Sequence, residues 1–231
     1  MKRIIALALV IATVILCMVG CTKVDPNKKS EGVMTFAQYD AAKLDDAVVI
    51  EGFVQGKQSW WADKATIYLQ DGDGAYFVYE MTCSEEDYAK LVVGTKIKVT
   101  GYKTEYHGEI EVDSGATFEI VEGDTWVAEP TDVTSLLGKD ELVKKQNMLV
   151  SFKGMTVKSI EYKGGERGDD IYVTLTKDGA DYSFCVERYL TDPDTDLYKS
   201  VEALKSGDVV NVEGFLYWYD GPNTHITKVS K

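Results

Sequence analysis

The sequence predicts an all-β protein with short helices, arranged as two tandem five-stranded Greek-key barrels. Three observations predict it: an internal duplication, runs of alternating apolar and polar residues, and a short helical segment at the same place in each half.

The duplication is plainest in LVVGTKIKVTGY at residues 91–102, which returns as LKSGDVVNVEGF at residues 204–215. The offset stays constant from Tyr106 and Gly108 to Tyr219 and Gly221. Upstream, Ile67-Tyr68-Leu69 matches Ile171-Tyr172-Val173, and Asp73-Gly74-Ala75 matches Asp178-Gly179-Ala180. Each half opens on a similar strand, at residues 48–54 and 149–157. Self-similarity of this kind marks a repeated structural unit.

The elements of each unit follow from local chemistry. Ile97 and Val99 alternate with Lys96, Lys98 and Thr100, the period-two pattern of a half-buried strand. Ile110 and Val112 alternate in the same way with Glu109, Glu111 and Asp113. Asp71-Gly72-Asp73-Gly74 is a turn cluster between two strands. A short helix follows, with Ser84 as N-cap, Asp87 three residues on, and Glu85 and Glu86 at the positive end of the dipole. Tyr88, Leu91 and Val92 supply its apolar face, and Gly94 ends the segment. Leu197, Val201 and Leu204 before Gly207 repeat the arrangement.

Three strands, a helix and two strands is the order of the OB fold. The segment GTKIKVTGY, with the short tip and strand after it, resembles strand four, the loop between strands four and five (L45), and strand five of secreted bacterial OB domains. The resemblance covers about residues 45–122 and 147–231 and implies architecture and location, not an activity. The expected layout is a signal at 1–20, a tether at 21–34, one barrel with an N-terminal helical turn at 35–122, a connector at 123–146 and a second barrel at 147–231.

The N-terminus reads as an export signal. Lys2 and Arg3 precede an apolar run over residues 4–19 that only Thr13 interrupts, short for a span of about 20 residues. Met18-Val19-Gly20-Cys21 at its end resembles the lipobox of bacterial lipoproteins, in which a small residue precedes the lipidated cysteine. That resemblance implies diacylglycerol on Cys21 and a protein anchored to the outer face of the cell membrane, since two acyl chains suffice for stable anchoring. Of the other cysteines, Cys17 leaves with the signal, and Cys83 and Cys185 fall in different units, where free thiols are expected over a disulfide.

Loss of residues 1–20, which contain Lys2 and Arg3 and no acid, takes the formal charge from -13 to -15. A surface so acidic disfavours non-specific binding to phosphate backbones. Lys57, Lys64, Lys96, Lys98 and Lys103 could still form a local basic strip on the first unit.

OB barrels typically bind on the face of strands two and three, flanked by L45 and by the loop between strands one and two (L12). The resemblance thus implies candidate contacts at Trp60, Trp61, Tyr68, Tyr79, Tyr106 and His107 in the first unit. In the second they are Tyr172, Tyr217, Trp218 and Tyr219. Tyr68 has opposite parity to Ile67 and Leu69 and should point out of its barrel, where by the same rule Phe77 and Tyr79 could join it. Such aromatics suit stacking on sugars or bases, or anchoring of a protein. They could equally plug a barrel end or pack between domains.

Catalysis finds no motif. His107 and His225 have no metal spacing, and neither a GxSxG elbow nor a phosphate loop occurs, so no enzyme, metal or cofactor is expected. Asp71-Gly72-Asp73-Gly74 lacks the ligand spacing of a calcium loop, and Arg167-Gly168-Asp169 is a three-letter match in a glycine-rich loop. The expected role is a binding or adaptor lipoprotein for a glycan, peptide or protein. The alternatives are capture of single-stranded nucleic acid and a structural part in the envelope.

Overall fold

A computed structural model describes residues 24–231; the expected export signal and Cys21 lie outside the described residues. Helix α1 (Phe36–Ala41), capped by Thr35 through a reciprocal box with Gln38, leads into β1 (Ala47–Lys57), β2 (Lys64–Gln70) and β3 (Ala75–Thr82). Helix α2 (Glu85–Lys90), β4 (Lys96–Tyr106), β5 (Glu109–Val112) and β6 (Thr117–Ile120) complete the first unit. The second has β7 (Thr131–Asp132), β8 (Leu149–Tyr162), β9 (Ile171–Lys177), β10 (Ala180–Val186), α3 (Asp196–Glu202), β11 (Val209–Phe215) and β12 (Asn223–Ser230).

Both sheets close. In the first, β1 pairs with β2, β2 with β3, β3 in parallel with β5, β5 with β4, and β4 back onto β1. In the second, β8, β9, β10, β12 and β11 follow the same circuit, again with one parallel pair, β10–β12. This is the five-stranded OB barrel, twice. Each barrel also carries an outer strand beyond the expected five: β6 on β4, and the two-residue β7 on β8. The long strands that close each barrel leave an edge for these additions.

Alternation sets the cores. Ile67, Leu69, Ile97 and Val99 point inward in barrel 1, and Val150, Phe152, Val210 and Val212 in barrel 2, all fully buried. The helices plug the barrel ends differently. Tyr198 and Val201 of α3 are buried in barrel 2, whereas α2 buries no residue and Leu91 just beyond it fills that place. Val92, expected on the apolar face, is exposed, because Leu91 caps the helix in a non-helical conformation that turns the chain outward. Ser84 does cap α2, accepting the Asp87 N–H at 3.1 Å. The β9–β10 hairpin turns through Asp178 and Gly179 at φ 51° and 85°, the double positive φ of a tight hairpin.

The tether does not hang clear of barrel 1. Ser30 N–H donates to the buried Glu51 carboxylate, Lys96 pairs with the same carboxylate at 2.9 Å, and Lys29 pairs with Asp71. Burial pushes Glu51 up, but the hydrogen bonds from Ser30 and Lys96 outweigh it and hold the carboxyl below its ordinary value. Asp71 also accepts N–H groups from Asp73 and Gly74 and the Tyr76 hydroxyl, so its turn is structural.

Candidate functional site

The barrels dock through faces that carry aromatic residues. Tyr68 on β2 and Phe77 on β3 point out of barrel 1, as parity requires, but meet barrel 2 instead of solvent. The Tyr68 ring stacks on Phe215 of β11 at 4.2 Å and 9°, and its hydroxyl lies 2.8 Å from His225 Nδ1 on β12. Tyr217 sits edge-on to Phe77 at 5.4 Å and stacks on His225 at 4.5 Å. The contact is close enough to need glycine: a Cβ on Gly56 would lie 2.7 Å from the Phe215 ring.

The two L45 tips also meet. His107 and Asp220 occupy equivalent positions in the repeat, and their side chains hydrogen-bond at 3.1 Å. Asp220 N–H donates to the His107 carbonyl, and the His107 ring stacks on Tyr219 at 4.4 Å. Beside them Trp218 N–H donates to Glu109 Oε2 at 2.8 Å. Gln146, at the end of the connector, donates to Gly108 O and accepts from Ile110 N.

Docking leaves a cleft of about 1430 Å³ between the barrels. Its floor is the outer face of strands two and three of barrel 2, the face on which OB barrels typically bind, with Tyr172 and Thr174 on β9 and Ser183 and Cys185 on β10. The barrel 2 L45 residues Tyr217, Trp218 and Tyr219 flank it, and Phe77, Tyr79, Tyr106 and Glu111 of barrel 1 form the opposite wall. Connector residues Gly138 to Asp140, with Leu142 and Val143, close one side. Six carboxylates line the space (Glu111, Asp140, Asp170, Asp181, Glu187, Asp220) against two lysines, Lys139 and Lys163. Lys163 is already paired with Asp170 at 3.1 Å.

Burial dominates the electrostatics. It raises Glu109 well above the ordinary carboxylate range, and it raises Glu187 despite N–H bonds from Tyr189 and Leu190. It pushes Glu111 up to about 7, with the charge of Asp113 adding to the effect. Burial likewise raises the Cys185 thiol far above its ordinary value, and both Cys185 and Cys83 are unpaired, as expected. Because the folded state holds the Glu111 proton from pH 4.5 to about 7, ionisation costs stability as pH rises through that window. Glu111→Gln is therefore expected to stabilise the protein by about 1–3 kcal/mol at pH 8 and by nothing measurable below pH 4.5. Urea denaturation at the two pH values checks this.

The predicted contact residues divide. Tyr79, Tyr106, Tyr172, Tyr217, Trp218 and Tyr219 gather around the cleft, and His107 stands beside it, tied to Asp220. Tyr68 does not belong, because barrel 2 covers it completely. The L12 tryptophans are also elsewhere: Trp60 is half-buried with its indole N–H on Cys83 O, and Trp61 is 69 % exposed without lining the cleft. Trp61→Ala is expected to change stability by no more than about 0.5 kcal/mol, as for other exposed positions, measured by thermal melting. Glu111, Glu187, Asp170 and Tyr182 are cleft residues that sequence reasoning missed. The alternation of Glu109 and Glu111 with Ile110 and Val112 did signal their outward direction, but that face is covered, leaving Glu111 only 6 % exposed.

The lysines of barrel 1 form no open strip. Lys64 pairs with Glu80, Lys96 with Glu51 and Lys98 with Glu119; Lys57 donates to Tyr88 O, and Lys103 is buried with its ammonium on the carbonyls of Tyr39, Asp40 and Ala42. Arg167 of the RGD tripeptide is bound inward to Glu202 and Pro193 O.

No protein-family model matches the chain, and neither does any curated protein. Among solved structures, a murine DNA-binding protein bound to double-stranded DNA shares 13% identity over 79% of this chain and 95% of its own, with a TM-score of 0.38. The HINa domain of Ifi202 with a 20-base-pair duplex shares 11% identity over 80% of this chain and all of its own, at 0.37. A replication protein A heterotrimer bound to single-stranded DNA shares 12% over 82% of this chain and 51% of its own, at 0.33. At these scores no ligand or partner carries over.

Proposed function

We propose that this chain is a non-catalytic binding lipoprotein, anchored through Cys21 on the outer face of the cell membrane, and that its ligand is a glycan or peptide held in the cleft between the barrels. One observation carries the reading: aromatic side chains from both barrels converge on the OB ligand face of barrel 2, the half-exposed Tyr172 among them. A concave, largely pre-formed space with aromatic walls and a few polar groups is the usual form of a small-ligand site. Aromatic faces stack on sugar rings or peptide side chains, and the carboxylates accept their hydroxyl or N–H groups.

A screen of the mature chain against glycans, peptides and short oligonucleotides, read by tryptophan fluorescence and thermal shift, tests the proposal. Trp218 in the cleft is the reporter. Tyr172→Ala is expected to weaken the ligand found at least tenfold while leaving the melting temperature within about 2 °C, since the ring is 43 % exposed. A ligand indifferent to Tyr172→Ala would move the site out of the cleft.

Single-stranded nucleic acid is the second reading, favoured by the row of rings on which bases could stack. The excess of cleft carboxylates opposes it. An oligonucleotide hit whose affinity falls steeply with salt would establish this second reading in place of the first.

A further inference from the structure

The barrel 1 wall of the cleft contains a carboxylate without a counter-ion. Glu111 is only 6 % exposed and lines the cleft, and no hydrogen bond or ion pair among the described residues ends on its side-chain oxygens. A buried carboxylate ordinarily has a charged or hydrogen-bonding partner. Here aromatic rings stand on the same face, with Asp113 and Glu109 as its acidic neighbours. Glu111 on β5 pairs in register with Phe77 on the parallel strand β3, so the two side chains share a face. Tyr79 lies two residues along β3 on that same face, with its ring 6.5 Å from that of Phe77. On the antiparallel neighbour β4, Tyr106 pairs with Glu109 and so stands diagonal to Glu111, within reach of a long side chain. Tyr217 reaches across from barrel 2, 5.4 Å from Phe77. Burial raises the phenols of both Tyr79 and Tyr217, and the Glu111 charge adds to the effect in each.

We propose that this end of the cleft is a site for an alkylammonium group, held by the Glu111 carboxylate among the rings of Phe77, Tyr79, Tyr106 and Tyr217. The inference rests on the cleft as the ligand site and names the chemistry its ligand must carry. Ring faces attract cations through their quadrupoles, and the attraction grows where water is excluded. A carboxylate at the centre of such a cage supplies the opposite charge, and an ammonium supplies the partner that the buried carboxylate lacks. An amino sugar or a lysine-bearing peptide satisfies both the cage and the polar floor formed by Thr174 and Ser183.

Titration calorimetry of the mature chain at pH 8, above the value of about 7 to which burial raises Glu111, with butylammonium and with 1-butanol tests the charge requirement directly, since the two differ little in shape. Butylammonium is expected to bind at least tenfold more tightly than the alcohol. Glu111→Gln should erase that preference while folding normally, and Tyr106→Ala, at a residue 53 % exposed, should weaken ammonium binding several-fold without loss of fold. Equal affinity for amine and alcohol, or an amine preference that survives Glu111→Gln, would overturn the cation site. If that happens while a screened ligand still depends on Tyr172, the cleft stands as the binding site and only its ammonium end is wrong. Independence from Tyr172 as well would remove the cleft itself.

Discussion

Tyr68→Ala is expected to cost roughly 3–5 kcal/mol, the range for losing a large buried aromatic side chain, and to split one cooperative melt into two. The ring is fully buried, stacked on Phe215 and 4.9 Å from Phe77, so its removal opens a void at the centre of the barrel–barrel contact. It also takes away the partner of His225 Nδ1, and an unpartnered buried polar group adds to the loss. Neither barrel's own core includes Tyr68, so each should still fold. Tyr68→Phe keeps the stack and loses only the hydroxyl, at a cost of about 1–2 kcal/mol. Differential scanning calorimetry separates the outcomes. A single transition shifted by less than about 1 kcal/mol in Tyr68→Ala would show that other contacts, such as the L45 tips, hold the barrels together.

Acid should loosen the same contact. Burial depresses the His225 imidazole from its ordinary 6.5 to about 3. The unfolded chain therefore binds a proton between those values that the folded chain does not, so stability falls as pH drops through the window. At about 1.4 kcal/mol for each pH unit, the loss reaches several kcal/mol near pH 3 and vanishes above 6.5. Glu109, Glu111 and Glu187 act in the opposite sense, favouring the fold at low pH, so the stability curve should rise to a maximum on the acidic side of neutrality. His225→Asn removes the titration and keeps a polar group near Nδ1. Its stability between pH 6 and 4 is expected to decline less than that of the parent. Parallel curves for the two proteins would remove His225 as the acid-sensitive group.

Much of the architecture is legible in the residues alone. Alternation at Ile97 and Val99, the Asp178-Gly179 turn and the Ser84 cap are local rules, and each acts as its own chemistry requires. The repeat then multiplies one barrel into two. What local rules do not contain is how one barrel sits on the other. Tyr68 and Tyr172 are equivalent in the repeat and have the same parity, yet one is sealed and the other open. Glu109 and Glu111 alternate as a solvent face would, and docking buries them. The L12 tryptophans fit a binding loop by composition, but the indole N–H of Trp60 is used locally on Cys83 O. The cleft belongs to the relation between units, so only its rings, and not its carboxylates, stood out in the sequence.

The unequal fates of Tyr68 and Tyr172 bear on how the two copies can drift after duplication. Substitution at Tyr68 is judged by folding in every lineage, whatever the ligand, because the copy that carries it has become scaffold. On the proposed reading, substitution at Tyr172, Thr174 or Ser183 is judged only by what the cleft must hold. Across descendants of the same duplication, the first barrel should therefore keep its outer face while the second changes its own with each new ligand.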